Sequence, residues 1–290
     1  MGLRTKFNLI LFLTFTLGLG LSALLTHRIV QENAQEEVLQ NARVMMENAL
    51  AIRGFTVREI RPLLAMQMKR QFLPHSVPSF VAQENFRIMQ AQFPDYTYKE
   101  AALNPTNLKD RAADWEADII NEFRNHPQRE EIVVRRETPL GPSLSLAKPL
   151  TIKDPGCLTC HSTPEAAPQT MIAQYGPNNG FGWQLGETIG AQIVSVPMAV
   201  PLTRAQETFT TFMMALVAVF VGVMIILNIM LHMLVIRPVM KISRMASQVS
   251  MGQEDVPEYV RRGNDEIASL SASFNRMRRS LENAIKLLDD

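Results

Sequence analysis

The chain has two cysteines, Cys157 and Cys160, and His161 follows them at once in the stretch "DPGCLTCHST". Two thiols and an imidazole at this spacing could do several kinds of chemistry. A disulfide would close a tight loop across two residues, a spacing usual for redox-active pairs. A thioredoxin-like pair would start a helix within a βαβ unit, and no such unit surrounds "KDPG". A structural zinc site needs four ligands, and only three are local. The remaining reading is covalent haem c. Each thiol adds to one haem vinyl group, and His161 ligates the iron from the proximal face.

The ligand opposite His161 is open at this level. Among the exported histidines, His27 lies at a membrane edge and His126, in "RNHPQRE", reads as a solvated helix end. His75, in "LPHSVPSF", and the helical Met45 and Met46 are the candidates, since a soft thioether or a second imidazole suits the sixth position. An open five-coordinate iron that binds a gas is the other arrangement. Haem propionates need cations or hydroxyls, and Arg53, Tyr98, Lys99 and Arg111 are the candidates.

These groups need a compartment and a scaffold. The chain has 290 residues, a net charge of +1 and 47% hydrophobic residues. The balanced charge points away from nucleic acid as a partner. Two uncharged apolar runs stand out, Phe7–Leu25 and Phe212–Ile236, each long enough at about 1.5 Å per residue to cross a bilayer or nearly so. No A-x-A cleavage site follows the first, so it is expected to stay as an anchor. Arg4 and Lys6 precede the first run; Arg237, Lys241 and Arg244 follow the second. By these cations both termini are cytoplasmic and the segment between is exported. Haem c is attached outside the cytoplasm, in agreement with this topology.

The expected organisation is residues 1–6 cytoplasmic, 7–25 and 209–236 transmembrane, 26–208 a periplasmic haem domain with a signalling helix over 31–60, and 237–290 cytoplasmic. That places the chain in a bacterial inner membrane, with membrane lipid as a partner. Within the exported domain, Val38, Ala42, Met45, Ala49 and Ile52 form a heptad stripe, expected to pair with its copy in a homodimer. "LKDRAADWEADIINEFRN" reads as an amphipathic helix with Trp115, Ile119 and Phe123 on one face. "PSLSLAKPLTI" and "ETIGAQIVSVPMAV" read as strands, with the cysteines in the loop between. "FLPHSVPSF" and "FPDYTY" read as turns. "YGPNNGFGWQLG" is a loop whose Phe181 and Trp183 could cap a haem edge. The fold class is α+β.

Taken together, "AALNPTNLKDRAADWE", "CLTCHSTPEAAP" and "YGPNNGFGW" resemble the PAS-like c-type haem sensor domain, long a domain of unknown function, over about residues 34–200. The resemblance implies a PAS-like sheet with haem on its edge. In one branch of that family the distal ligand is a cysteine; this chain has no third cysteine, so another residue type or an open position must take its place.

After the second run, Ile242, Ala246 and Val249 mark one heptad helix ended by Gly252. Asp265 and Glu266 open a second, where acids suit the positive end of the helix dipole, and Ile267, Leu270, Phe274, Met277 and Leu281 follow. Arg237-Pro238, Gly252, Asp265-Glu266 and Phe274-Asn275-Arg276-Met277 resemble the HAMP signalling module, a dimeric parallel coiled coil. Nine residues follow Leu281. The expected function is a dimeric transmembrane sensor in which haem responds to redox state or a diatomic gas and the signal passes to a separate cytoplasmic partner. No enzymatic role is expected. The alternative is a membrane-anchored cytochrome that exchanges electrons with a redox partner. A haem peroxidase ranks last, without a distal His–Arg pair at a recognisable spacing.

Overall fold

The computed structural model describes residues 2–139, 141–253 and 256–289, with side chains up to Ala284. The chain divides into two compact units, Arg28–Thr208 and a second made of Met1–His27 with Phe209–Asp290.

The first unit is a four-stranded antiparallel sheet between helical layers. Its strands are β1 (Thr97–Ala102), β2 (Ile132–Thr138), β3 (Gly141–Thr151) and β4 (Thr188–Pro197), in the order β1-β4-β3-β2. The pleat sends alternate side chains to opposite faces. On one face Leu144, Leu146, Val194, Val196 and Tyr98 meet α1 (Leu3–Phe55) and α3 (Pro78–Met89) through Val38, Ala42, Met46, Ala49, Ala82 and Phe86. On the other, Ala101, Ala147, Ala191 and Ile193 meet Ile119, Ile120 and Phe123 of α4 (Asp114–Asn125). Burying a phenyl such as Phe86 or Phe123 stabilises by about 1.5–3 kcal/mol. The alanines keep α1 close to the sheet. Gly190 does the same between strands: a Cβ there would lie 2.3 Å from the Ala101 carbonyl oxygen.

The stripe on α1 expected to face a second copy is covered by this chain's own sheet. The buried set is Ala34, Val38, Ala42, Met46 and Ala49. Met46 replaces Met45 because the helix follows a 3.6-residue period rather than the 3.5 of a coiled-coil seam. The two anticipated strands are β3 and β4. β1 and β2, the sheet's outer strands, fall where no strand was anticipated, β1 beginning inside "FPDYTY".

The second unit holds two helices long and apolar enough to cross a membrane, within α1 and α7 (Ala199–Leu231). They run antiparallel, with Phe15 stacked on Phe220 at 4.9 Å and His27 edge-on to Phe209 at 5.4 Å. α8 (Arg237–Ser250) and α9 (Glu266–Asp289) follow. Ile242, Met245, Val256 and Phe274 form their shared core. Side chains of α9 tie down the connector: Ser271 and Asn275 both donate to the Tyr259 carbonyl, Arg278 donates to that of Val256, and Arg279 forks onto Glu258 at 2.7 and 3.0 Å. Leu270, Met277 and Leu281, from the anticipated seam, stay exposed in the single chain.

Candidate functional site

The loop after β3 turns on Asp154, whose carboxylate accepts the Gly156 N–H at 2.8 Å and whose carbonyl accepts that of Cys157 at 3.0 Å. This winds Pro155–Cys157 into a 3₁₀ turn that runs on into α5 (Leu158–His161). Cys157 and Cys160, three residues apart on one helical turn, present neighbouring positions. Both are half-buried free thiols. Cys157 and Trp183 pack against the buried cluster of Ala102, Ile152 and Ile189; Cys160, Met68 and Phe181 pack against that of Phe72, Ala167 and Met171.

The electrostatics separate the competing chemistries. Burial pushes both thiols above their ordinary range; the Asp154 carboxylate adds to this at Cys157, while Arg61 pulls both back. Redox-active and nucleophilic cysteines show the opposite shift. Among the described residues, no three His, Cys, Asp or Glu side chains converge on one point as a metal ion requires. Two thioether anchors and one imidazole ligand for a haem would not need to converge.

His161 is held in one tautomer. Its Nδ1 lies 2.8 Å from the Gly180 carbonyl. A carbonyl only accepts, so Nδ1 carries the hydrogen and Nε2 keeps its lone pair for a metal. Burial holds the imidazole below its usual range, so it is neutral near pH 7. Trp183 stacks on the ring at 3.9 Å between centroids. The "YGPNNGFGW" loop is pinned to this point. The Trp183 N–H donates to the His161 carbonyl at 3.2 Å, the Gly182 N–H to that of Ser162 at 2.8 Å, and the Gly180 N–H to Asn104 Oδ1 at 3.2 Å. Asn104 and Thr106, the latter 3.4 Å from His161 Nδ1, were not singled out from the sequence. Both lie in "LNPTN", and their link to residues some 55–76 positions away has no sequence periodicity to betray it. The donor set, a neutral imidazole with a free Nε2 and two protonated thiols at apolar walls, fits covalent haem.

The other anticipated residues distribute as follows. Arg53 forms an ion pair with the buried Glu100, which also accepts the Tyr98 hydroxyl at 2.7 Å; Gln192 donates to that hydroxyl at 3.1 Å. Burial and the Glu100 charge push the Tyr98 phenol far above its usual range. Lys99 is paired with Glu116 at 2.6 Å and donates to the Arg111 carbonyl at 2.9 Å. Arg111 itself lies beside the end of β1, bridged to Ala102. Met46 and Met45 belong to the sheet–helix core, apart from the two clusters that hold the cysteines. His75 sits in the Pro74–Ser76 turn, edge-on to Phe80 at 5.4 Å. The same turn anchors a thioether the sequence reading passed over: the Leu73 N–H and the Ser76 hydroxyl lie 3.0 and 3.3 Å from Met68 Sδ. Met68 ends α2 (Arg61–Met68), off the heptad stripe that drew attention to Met45.

The Arg53–Glu100 pair invites a direct check. Glu100 is 3% exposed, and Glu100→Gln would leave the Arg53 guanidinium without its counter-charge. The expected cost is about 2–3 kcal/mol, below the range for a fully buried pair because Arg53 reaches solvent. Chemical denaturation of the variant beside wild type measures it.

Residues 31–197 match the model of the Tll0287-like family, and residues 230–283 match that of the HAMP domain. Among solved structures the chain is similar to one titled "Crystal structure of the cyanobacterial heme-protein Tll0287", at 16% identity over 56% of this chain and 95% of that one, with a TM-score of 0.41. No curated protein matches the chain.

Proposed function

We propose that this chain, which belongs to the Tll0287-like family and carries a HAMP domain after that domain, is a membrane signalling sensor with one covalently held haem c. The observation that carries the reading is His161: neutral, fixed in one tautomer by the Gly180 carbonyl, and directly after two protonated thiols. Haem, when bound, would supply an iron that changes redox state or takes up a diatomic ligand. Cys157 and Cys160 would anchor it, each S–H adding across one vinyl C=C so that a C–S and a C–H bond form. His161 Nε2 would ligate the iron, while Gly180 and Trp183 hold the ring's orientation. A second ligand for the iron would come from Met68, which shares an apolar cluster with Cys160, or from His75 in the adjoining turn; Met45 and Met46 rank behind them. Arg53, Tyr98, Lys99 and Arg111 remain propionate candidates, Arg53 and Lys99 each already paired with a carboxylate.

The haem domain, taken as residues 26–208, would lie in the periplasm with both termini cytoplasmic, as the flanking cations indicate. Two copies would join through the HAMP module. The exposed Leu270, Met277 and Leu281 of α9 suit a seam with a second chain. A change at the iron would then reach a separate cytoplasmic partner through a two-state helical bundle.

Absorption and EPR spectra of the purified full chain, oxidised and reduced, with and without CO and NO, test this. The sensor reading expects a His-ligated haem whose spectrum changes with redox state or gas. A six-coordinate haem that ignores both gases and exchanges electrons rapidly with a soluble cytochrome would instead make the chain an anchored electron carrier.

A further inference from the structure

Two Arg-Pro pairs in the helical segments, Arg61-Pro62 and Arg237-Pro238, each follow a five-residue π-turn, Thr56–Ile60 and His232–Ile236. The cause is the proline. It brings no N–H to the carbonyl four residues back, and its ring crowds that carbonyl. The helix widens instead: the Arg237 N–H bonds to the His232 carbonyl, five residues back. Pro238 thereby deprives the Leu234 carbonyl of its ordinary partner.

That carbonyl is served from elsewhere. Arg261, in the connector between α8 and α9, donates its Nη1 to Leu234 at 3.1 Å. Its Nη2 meets Asp265 Oδ2 at 2.8 Å, and Asp265 Oδ1 accepts the Ala268 N–H in the first turn of α9 at 2.7 Å. One guanidinium therefore links the end of the second apolar helix to the start of α9. Arginine suits the task because its planar fork can serve a carbonyl and a carboxylate together, which a lysine ammonium does poorly.

We propose that Arg261 is a latch that fixes the rotational phase at which α8 leaves the second apolar helix. A π-turn holds one residue more than an α-turn, and each residue is worth about 100° of rotation. Loss of the π-turn would turn α8 by about that angle relative to the helix before it. Beside the π-turn Pro238 leaves the Leu234 carbonyl open, and Arg261 satisfies it. It also ties that state to the capped start of α9, so the two ends of the module cannot change independently. The latch does not depend on haem.

Hydrogen exchange read by mass spectrometry on the full chain in lipid nanodiscs tests the latch. Arg261→Gln is expected to speed exchange across residues 232–240, and in the first turn of α9, by roughly tenfold or more, as fits the loss of a charged donor. Pro238→Ala gives position 238 an N–H for Leu234 and makes the latch redundant. In that background Arg261→Gln should change exchange across 232–240 by less than about twofold, the non-additivity expected of groups sharing one partner. Unchanged exchange on Arg261→Gln alone overturns the proposal. So does equal acceleration in both backgrounds, which would make Arg261 merely a connector-packing residue. Protection retained across β1–β4 shows that the variants are folded.

Discussion

Replacing both cysteines, Cys157→Ala with Cys160→Ala, is expected to abolish the haem-stained band on a denaturing gel while leaving the chain folded. The expectation rests on where the thiols sit. Both are half-buried and unpaired, so trimming each to a methyl removes one partly exposed sulfur and costs little, about 1 kcal/mol or less. No disulfide is lost. Each thiol is an independent anchor, so either single variant should keep a stained band through the remaining thioether. His161 is unaffected in the double variant: its Nδ1 bond to Gly180 and its stack on Trp183 involve neither sulfur. Haem should therefore remain bindable in the native protein but be stripped by denaturant, separating ligation from attachment. A stained band that survives the double substitution would sink the covalent reading.

The same residues show what can be read from a sequence and what cannot. "CLTCH" is a local motif, and its chemistry follows from types and spacing. The Gly180 carbonyl that orients His161 lies 19 residues away and is a backbone atom, so no side-chain pattern marks it. The interior strands β3 and β4 are apolar enough to be recognised. The outer strands were missed for a physical reason. "IVVRRET" carries charge where an edge strand meets solvent, and "TYKEAA" carries Lys99 and Glu100, each satisfied by an ion pair, so the apolar alternation of both is thin. The α1 stripe was recognised, but the difference between a 3.5- and a 3.6-residue period, accumulated along the helix, separates Met45 from Met46. That small difference decided whether the stripe read as a dimer seam or as one wall of the sheet's core. In the HAMP segment the helices, the acids that open the second of them and Phe274 were all visible. The binding of Asn275 and Ser271 to the Tyr259 carbonyl was not, because the connector's path is set by tertiary packing. The Arg-Pro pairs were a usable signal: a proline this deep in a long helix demands some relief of its missing bond, and here that relief is a π-turn.

Gly180→Ala carries the second large effect, and its cause can be divided. The residue has φ +80°, and an added Cβ would lie 2.0 Å from Thr106 Oγ1 and 2.7 Å from both Thr106 Cα and Thr106 N. The conformation alone costs an L-residue roughly 1–2 kcal/mol. The overlap adds about 1–3 kcal/mol, because two of the three atoms belong to backbone and cannot rotate aside. Together these lower the stability of the haem domain by about 2–5 kcal/mol. The loop can relieve the overlap only by moving Gly180 away from Thr106, and its carbonyl moves with it. His161 then loses the acceptor that holds the hydrogen on Nδ1, and its Nε2 is no longer held toward one ligand position. The expected result is a lower denaturation midpoint together with an altered iron-ligand spectrum, while the haem stain persists because both thiols are intact. Thr106→Ala removes the hydroxyl oxygen but not the two backbone atoms. Added to Gly180→Ala, it should restore only part of the stability, and alone it should cost no more than about 1 kcal/mol. If Gly180→Ala matches wild type in both midpoint and spectrum, the loop does not position the imidazole. Full rescue by Thr106→Ala would place the whole effect on the hydroxyl and remove the argument from backbone strain.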